Sequence, residues 1–417
     1  MISFNIYLIV YICIYFISAA LKTVIERINI NHLEKYGKTV PDAFQGIIYE
    51  EELNKIIRYT SDNVRFKFVQ TAVVKCLFLF IVISGILPWL AVNLTKTNFL
   101  LAGLVFFAFI GLIEVFVGLP FDYYHSFVIE DRYGFNTKTI KIWISDLITS
   151  LLVMVVLGGL LLSALLLLLK YTGPNWWVWA WVVFLCFQLL VTVIYPTVIA
   201  PLFNKFTPLD KSDLKADIEQ LAKKEGIGIK GIYQMDASRR TRHTNAYFSG
   251  LGKAKRIVLF DSLIQSHSQE EVLSILAHEI GHLKRNHIKK QLIISSIVSL
   301  FLFFMASKLI TCRVLYESFG FSNTPYYVGL FLVGILWEPV SFFLSPFGMA
   351  ISRKFEREAD YYSIEIIKRA KPLSTALKKM AKENLSNLRP HPLYVFFNYS
   401  HPPLLERIEY LEAHEMF

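Results

Sequence analysis

Long apolar stretches alternate with polar segments along this chain of 417 residues. Each of the seven longest apolar stretches has about the 20 residues that a helix needs to cross a bilayer. In chain order they are Ile2–Leu21, Cys76–Thr95, Thr97–Phe121, Leu147–Leu169, Asn175–Asn204, Gln291–Ser307 and Tyr326–Ser352. The pattern therefore predicts seven transmembrane helices. Because little more than Lys96 separates the second stretch from the third, those two helices are predicted to form a tight hairpin.

Two longer polar segments lie outside the predicted spans, and the first, residues 205–290, mixes helical and β-type patterns. Ser212 can cap a helix that covers Asp213–Lys224. Three short runs then have the residue types of strands: Gly231–Met235, Thr244–Phe248 and Arg256–Phe260. The second segment, residues 353–417, has a helical pattern, and its last helix is predicted to start near Pro402, since proline is favoured in a first helical turn. The first segment is thus a small α/β unit inserted between spans five and six.

This order of spans and polar segments predicts the domain organisation. Residues 1–204 hold spans one to five with their loops, and residues 205–290 form the α/β segment. Residues 291–352 hold spans six and seven. Residues 353–417 form a C-terminal helical segment, which is predicted to complete the active site. The expected fold class is an all-α integral membrane protein that carries one small α/β lobe.

Composition and charge agree with a membrane protein and set its orientation. Hydrophobic residues make up 54% of the chain and charged residues 18%, below the usual quarter. The loops after spans one, three and five and the C-terminal tail hold 38 of the 43 Lys and Arg residues, so these segments are predicted to be cytoplasmic. The net charge of +10 follows from this asymmetry and the anionic cytoplasmic leaflet, so the lipid bilayer is an expected partner and nucleic acid is not.

The segment LAHEIGH, residues 276–282, carries the candidate chemistry just before the sixth span. His278 and His282 are four residues apart, which places both on one face of a helix, where they can bind one zinc ion. Glu279 is rotated about 100° from His278 and can act as a general base. Ser268 and Glu271 form a capping box that would start this helix. The alternative is an ordinary helix with two histidines near a polar face.

A catalytic zinc site usually has three protein ligands, so a third residue is needed. Glu356 is the candidate, because span seven returns to the side of the membrane that span six leaves and ends just before it. Asp360 follows one turn later on the same face and is predicted to accept the other ring N–H of a ligating histidine. Glu358 is the competing ligand, although it points off that face. We therefore expect one Zn²⁺ per chain.

Together these features resemble the zinc-dependent CAAX prenyl proteases, a membrane family that removes the last three residues of prenylated proteins. The stretches that carry the resemblance are IEDRYGFN at 129–136, TNAYFSG at 244–250, RIVLFD at 256–261, the histidine motif, FEREAD at 355–360 and SHPPLLER at 400–407. They run in family order across most of the chain. The resemblance implies a helical barrel around an internal chamber, with zinc facing inward and a prenylated C-terminal peptide as substrate.

The resemblance also implies roles for three polar residues. Asn245 would hold the substrate backbone, His401 would stabilise the oxyanion or bind substrate, and Arg407 would support that site. Taken alone, Asn245 reads as a turn residue and His401 as a helix cap. The family often has an uncharged or aromatic residue where this chain has Arg357 and Glu358, which leaves the choice between the two glutamates open.

The predicted function is a membrane-embedded zinc metalloendopeptidase that cleaves prenylated CAAX proteins. It would lie in the endoplasmic reticulum membrane of a eukaryote or the inner membrane of a bacterium. One alternative is an HtpX-like quality-control protease, and another, of a different class, is a non-catalytic transporter or chamber protein. Glu114 and Glu338 fall inside apolar spans, where a carboxylate faces water or forms an interhelical hydrogen bond. The sequence makes no prediction of the oligomeric state.

Overall fold

The computed structural model of the chain describes residues 5–210, 213–249 and 255–415. Within these ranges seven helical segments are long and apolar enough to cross a membrane. The first three spans contain α1 (Ile6–Tyr36), α2 (Glu50–Ile83) and α4 (Phe99–Tyr124), and the short helix α3 (Ile86–Asn93) lies between the second and the third. The last four contain α5 (Ile140–Val153), α6 (Gly159–Tyr171), α7 (Trp176–Ile194), α8 (Ala200–Phe203), α12 (His287–Leu309) and α14 (Tyr326–Ile367). The predicted number of seven spans is confirmed, although the second lies within Glu50–Ile83 rather than at Cys76–Thr95. Ile2, where the first span was expected to start, lies outside the described residues.

The second predicted span is not one continuous helix. Helix α2 ends at Ile83, and Gly85 follows with φ of 83°, a left-handed conformation that a residue with a Cβ rarely adopts. The chain then continues through α3 and a short 3₁₀ turn, Leu94–Lys96, before α4 begins. The turn at Lys96 is tight, but it joins α4 to the short helix α3, so the predicted hairpin between the second and third spanning helices is wrong. The break at Gly85 is a feature that the apolar pattern did not indicate.

Helix α14 carries the candidate third ligand away from the membrane. Its 42 residues span roughly 63 Å at 1.5 Å per residue, about twice the thickness of a bilayer core. Its first part is apolar, and the charged segment that begins at Arg353 continues the same helix. Glu356 and Asp360, both buried, lie on this extension. The extension therefore holds both carboxylates rigidly beside the lobe.

A four-stranded sheet forms the centre of the lobe. Its strands are β1 (Phe206–Pro208), β2 (Ile229–Met235), β3 (Ala246–Ser249) and β4 (Lys255–Phe260). The order is β1-β2-β4-β3; β2 and β4 are parallel, and β3 pairs antiparallel with β4 at one edge. The three predicted strands are confirmed with shifted ends, while β1 was missed.

Further helices lie outside the membrane spans, and some of them contact this sheet. They are α9 (Asp213–Lys224), α10 (Asp261–Ser266), α11 (Gln269–Lys284), α13 (Arg313–Ser318), α15 (Lys371–Glu383), α16 (Pro392–Asn398) and α17 (Leu404–Glu415), of which α13 lies between spans six and seven. Helix α9 has the predicted bounds, although its predicted cap, Ser212, lies outside the described residues. Helix α17 begins two residues after Pro402, as expected.

One hydrophobic core joins the lobe to both ends of the chain. It contains Phe44 and Ile56 from the N-terminal half, Leu276 from α11, and Ala376 and Leu411 from the C-terminal helices, all 0% exposed. Burial of such side chains stabilises each by about 1.5–3 kcal/mol. Because these elements share one core, the histidine helix and the extension of α14 are held in a single body.

The two carboxylates inside the spans line one cavity. Glu338 on α14 forms an ion pair with Lys75 on α2, with 3.1 Å between Oε1 and Nζ. Glu114 on α4 lines the same cavity of about 470 Å³. Glu338 is therefore paired with a cation rather than bonded as a neutral acid to a neighbouring helix.

Candidate metal centre

A capping box starts helix α11, which carries the histidine motif. The Ser268 Oγ atom accepts from the backbone N–H of Glu271 at 3.3 Å, and the Glu271 carboxylate accepts from the N–H of Ser268 at 2.7 Å. These contacts satisfy backbone donors that the first turn would otherwise leave unpaired. The predicted cap is thereby confirmed, and α11 places His278 and His282 one turn apart on the side that faces α14.

A glycine allows α11 and α14 to approach closely. A Cβ atom added to Gly281 would lie 2.9 Å from the Cα atom of Ala359 and 3.1 Å from its carbonyl oxygen. Contacts of that length between a Cβ and backbone do not occur in relaxed structures. Ala359 itself is 0% exposed and lies between Glu356 and Asp360. The small residues at this crossing therefore bring both carboxylates within reach of the histidines.

Three side chains converge where the helices cross. The Nε2 atoms of His278 and His282 are 3.2 Å apart, and each lies 3.3 Å from a carboxylate oxygen of Glu356. One ligand atom from each of the three lies within 4.8 Å of the others. The Oε2 atom of Glu356 is buried, and its 3.3 Å contact with His278 lacks hydrogen-bond geometry, a costly state that a bound cation would relieve. Two imidazoles and a carboxylate are a donor set typical of catalytic zinc, so these residues fit that metal.

Asp360 and Glu356 lie at opposite ring nitrogens of His278. The Oδ1 atom of Asp360 is 2.8 Å from Nδ1 of His278. Arg407 binds both oxygens of the same carboxylate, with distances of 2.8 and 2.7 Å from Nε and Nη2. Burial by itself would lower the pKa of His278, but the Asp360 carboxylate close to its ring outweighs burial and raises that pKa to about 9. The carboxylate thus holds the ring with Nε2 directed at the centre.

Glu279 lies beside the three ligands and lines the adjoining cavity. Burial raises the pKa of its carboxyl above the ordinary value, and the neighbouring histidines oppose that rise. A carboxylate whose pKa is moved toward neutrality can both take up and release a proton during a reaction. This position and environment suit the base role predicted from the motif.

Glu358 is separated from the three-residue cluster. Its Oε2 atom lies 3.0 Å from Nε2 of His287, the first residue of α12. The Nδ1 atom of His287 in turn lies 2.9 Å from Nδ1 of His282. Among the described residues, the group that could hold a metal ion comprises His278, His282 and Glu356, so the geometry favours Glu356 over the competing glutamate. The sequence interpretation missed His287, although its place five residues after His282 was visible.

A cavity of about 460 Å³ opens beside the cluster and contains most of the predicted site. Asn245, Glu279, His401 and Arg407 line it, together with the ligands His278 and Glu356. His401 is 58% exposed, and its Nε2 atom lies 3.3 Å from Oε1 of Glu356. The remaining wall includes residues that the sequence interpretation did not single out: Leu263, Ile275, Leu373, Leu377, Met380, Asn384 and Tyr399. This wall is largely apolar.

Asn245 sits at the sheet edge, immediately before β3. Its side-chain oxygen accepts from the N–H of Ala246 at 2.8 Å, and its backbone carbonyl accepts from the N–H of Phe260 at 3.1 Å. Among the described strands β3 pairs with β4 alone, so its other edge can pair with an extended peptide. Asn245 and Ala246 both line the cavity, so a peptide added there would run past the cluster.

Two family models together match almost the whole described chain. Residues 29–205 match the model described as CAAX prenyl protease N-terminal, five membrane helices. Residues 208–415 match the model of peptidase family M48. The boundary between the two matches falls where the fifth span ends and β1 begins.

Relatives and one solved structure match over most of their own length. The CAAX prenyl protease 1 homolog of Arabidopsis thaliana is 36% identical over 90% of this chain and 91% of the relative. CAAX prenyl protease 1 of Saccharomyces cerevisiae is 36% identical, covering 74% of this chain and 72% of its own. The crystal structure of S. mikatae Ste24p superposes with a TM-score of 0.92 at 29% identity, covering 98% of this chain and 100% of that one. The predicted fold class is therefore confirmed.

Proposed function

The chain belongs to the CAAX prenyl protease group of the M48 peptidase family, and from that membership we propose that it is a membrane-embedded zinc metalloendopeptidase that removes the C-terminal tripeptide from prenylated CAAX proteins. The observation that carries the proposal is the convergence of His278, His282 and Glu356 beside Glu279, in a cavity next to two membrane helices. A transporter has no need of a ligand set with an adjacent base. The matched five-helix membrane model favours a CAAX protease over a quality-control enzyme.

Membership of a metallopeptidase family implies a bound metal, and we propose one zinc ion per chain. His278, His282 and Glu356 would hold it. When bound, zinc would supply Lewis-acid chemistry that activates a water for attack on a peptide bond. Replacement of any one of these three residues by alanine should abolish zinc binding and proteolysis together. Glu358→Ala should still bind one equivalent of zinc, and loss of stoichiometric zinc in that variant alone would show that the third ligand is misassigned.

The residues around the three proposed ligands would each have a different role in peptide hydrolysis. Glu279 takes a proton from the attacking water and delivers it to the leaving amine. His401, whose ring reaches Glu356, lies on the cavity wall where it can donate to the oxyanion that develops on the scissile carbonyl. Asn245 and the free side of β3 bind the substrate backbone. Arg407 acts through Asp360 and keeps His278 in place.

The position of the site near the membrane supports a lipid-anchored substrate. Only Arg285 and Asn286 separate the histidine helix from membrane helix α12, and Glu356 lies on the same helix as span seven. A prenylated cysteine is held at the membrane surface by its lipid, while the short peptide beyond it is free to enter a nearby cavity. A substrate with this chemistry would place its last peptide bonds beside Glu279.

The orientation and compartment also belong to this proposal. The chain is a multi-pass membrane protein. Because the basic residues concentrate in the lobe and tail, we place the catalytic lobe on the cytoplasmic side of the membrane. That membrane would be the endoplasmic reticulum membrane in a eukaryote or the inner membrane in a bacterium. We retain the division into residues 1–204, 205–290, 291–352 and 353–417, with the last segment completing the site.

Cleavage of a defined peptide tests the proposal. Purified protein should release an intact tripeptide from a farnesylated CAAX peptide, as identified by mass spectrometry. A zinc chelator should stop the release, and added zinc should restore it. Absence of the tripeptide product, with one zinc per chain bound, would overturn the assignment of substrate while leaving the metal site intact.

A further inference from the structure

His287 links a metal ligand to a carboxylate. It is the first residue of membrane helix α12, and its side chain is 3% exposed. One ring nitrogen, Nδ1, lies 2.9 Å from Nδ1 of His282, and the other, Nε2, lies 3.0 Å from Oε2 of Glu358. Both nitrogens of this buried ring are therefore within hydrogen-bond distance of side chains on two other helices.

Counting hydrogen-bond donors and acceptors assigns one donor and one acceptor to each contact from His282 through His287 to Glu358. The Nε2 atom of His282 faces the other ligands, so it must offer a lone pair and the ring must carry its proton on Nδ1. That N–H can only donate to Nδ1 of His287, which then accepts and carries its own proton on Nε2. The second N–H donates to the Glu358 carboxylate, which can only accept when ionised. Two neutral imidazoles and one carboxylate satisfy every contact.

We propose that His287 and Glu358 are positioning residues for the metal ligand His282, forming a carboxylate–histidine–histidine relay that holds Nε2 toward the metal. This inference rests on the proposed metal site and extends it. Asp360 holds His278 through a direct contact, whereas His282 is held through an intervening ring. Such outer partners fix the tautomer and orientation of a ligand and raise its basicity.

The surroundings hold the relay in place. The His287 ring stacks on Phe355, with centroids 4.2 Å apart and an angle of 8° between the planes. Lys290, one turn along α12, lies 3.6 Å from the Glu358 carboxylate and favours its ionised form. Asn286, with φ of 54°, makes the turn between α11 and α12 that brings His287 back over His282. Asparagine is among the few residues that adopt this conformation readily.

Because His287 begins a membrane helix, the relay also connects the metal to that helix. A ring that only fastened α12 to α14 would leave zinc affinity unchanged when its hydrogen bonds are removed but its stacking is kept. If the ring instead positions His282, the same replacement should lower zinc affinity. Zinc affinity, measured apart from activity, therefore separates the two roles.

The test measures zinc binding by chelator competition in His287→Phe, which keeps an aromatic ring against Phe355 but removes both nitrogens. We expect zinc affinity to fall by about 10–100-fold, the usual effect of losing an outer partner. His287→Asn restores an acceptor near the Nδ1 position and should recover most of that loss. The visible spectrum of the cobalt-loaded protein should shift in His287→Phe, because the geometry of His282 changes.

Glu358→Leu provides the second variant and keeps the test decisive if His287→Phe does not fold. It should lower zinc affinity in the same direction, and Glu358→Gln, which keeps an acceptor oxygen, should lower it less. Glu365→Gln is the matched control, since Glu365 lies on the same helix and pairs with Arg285 at 3.5 Å, outside the relay. The melting temperature of the metal-free proteins verifies folding.

Wild-type affinity and an unchanged cobalt spectrum in both His287→Phe and Glu358→Leu would overturn the relay and leave His287 as a packing residue. A wild-type protein that binds no zinc would instead overturn the proposed metal site. The two failures are thus distinguished in one experiment.

Discussion

Arg407 binds Asp360 through two parallel hydrogen bonds of 2.7 and 2.8 Å, and both side chains are buried. The two residues come from α17 and α14 and are 47 positions apart in the chain. Since Asp360 also contacts His278, this pair couples the position of α17 to that of His278 in the candidate metal centre. The C-terminal helix therefore contacts the candidate metal centre through Asp360, even though its end lies at the surface.

Removal of the arginine should damage both stability and metal binding. Arg407→Met leaves the Asp360 carboxylate buried without its cation, a change that typically costs about 3–5 kcal/mol. We expect a lower melting temperature and weaker zinc binding. Arg357→Gln, which breaks an exposed ion pair with Glu406 of 2.7 Å, is the matched control and should change stability by no more than about 1 kcal/mol. Equal melting temperatures for the two variants would contradict the role of the buried pair.

Removal of the proposed general base, Glu279, should lower turnover without lowering zinc binding. Glu279→Gln keeps the size of the side chain but cannot accept a proton, so turnover should fall by roughly 10²–10⁴-fold while one zinc per chain remains. Metal analysis beside a peptide cleavage assay measures both quantities on one sample. A variant that keeps both zinc and most of its turnover would remove Glu279 from the mechanism.

Enlargement of one glycine should push the two site helices apart. In Gly281→Ala the added methyl group would lie 2.9 Å from the backbone of Ala359. Overpacking of this kind typically destabilises a protein by about 1–3 kcal/mol, and here it should also weaken zinc binding. Gly348→Ala, on α14 where an added Cβ meets nothing within 4 Å, should have little effect on either. If Gly281→Ala and Gly348→Ala have equal stability and equal zinc affinity, the close approach of α11 and α14 does not position Glu356.

The proposed orientation predicts which loops an impermeant thiol reagent can reach. In a background without the four native cysteines, Lys224→Cys should resist labelling in intact cells, and Asn323→Cys, between spans six and seven, should react. Both positions are exposed. The reverse labelling pattern would place the catalytic lobe on the other side of the membrane.

The features that the sequence predicts well are those with a local physical cause. Apolar length predicts the seven spans, and the capping box of Ser268 and Glu271 predicts the start of α11. Return of span seven to the side that span six leaves predicts that Glu356 lies near the histidines. Each of these follows from a few neighbouring residues together with the thickness of the bilayer.

The features that the sequence does not predict depend on contacts between distant segments. Strand β1 has only three residues and ends in proline, so no alternating pattern marks it. The assignment of Glu358 to His287 requires the crossing of α12 and α14, and the pairing of Arg407 with Asp360 requires that of α17 and α14. Such pairings are set by tertiary packing and become visible only in the structure.

The central claim is that the zinc centre acts on a lipid-anchored peptide, and comparison of one CAAX peptide with and without its farnesyl group tests it most directly. A prenyl chain buries apolar surface worth about 0.8 kcal/mol per CH₂-sized group, so the lipid should strengthen productive binding. We predict that kcat/KM for the farnesylated peptide exceeds that of its unprenylated twin by at least about tenfold, equivalent to about 1.4 kcal/mol. Equal kcat/KM values for the two peptides would contradict the account.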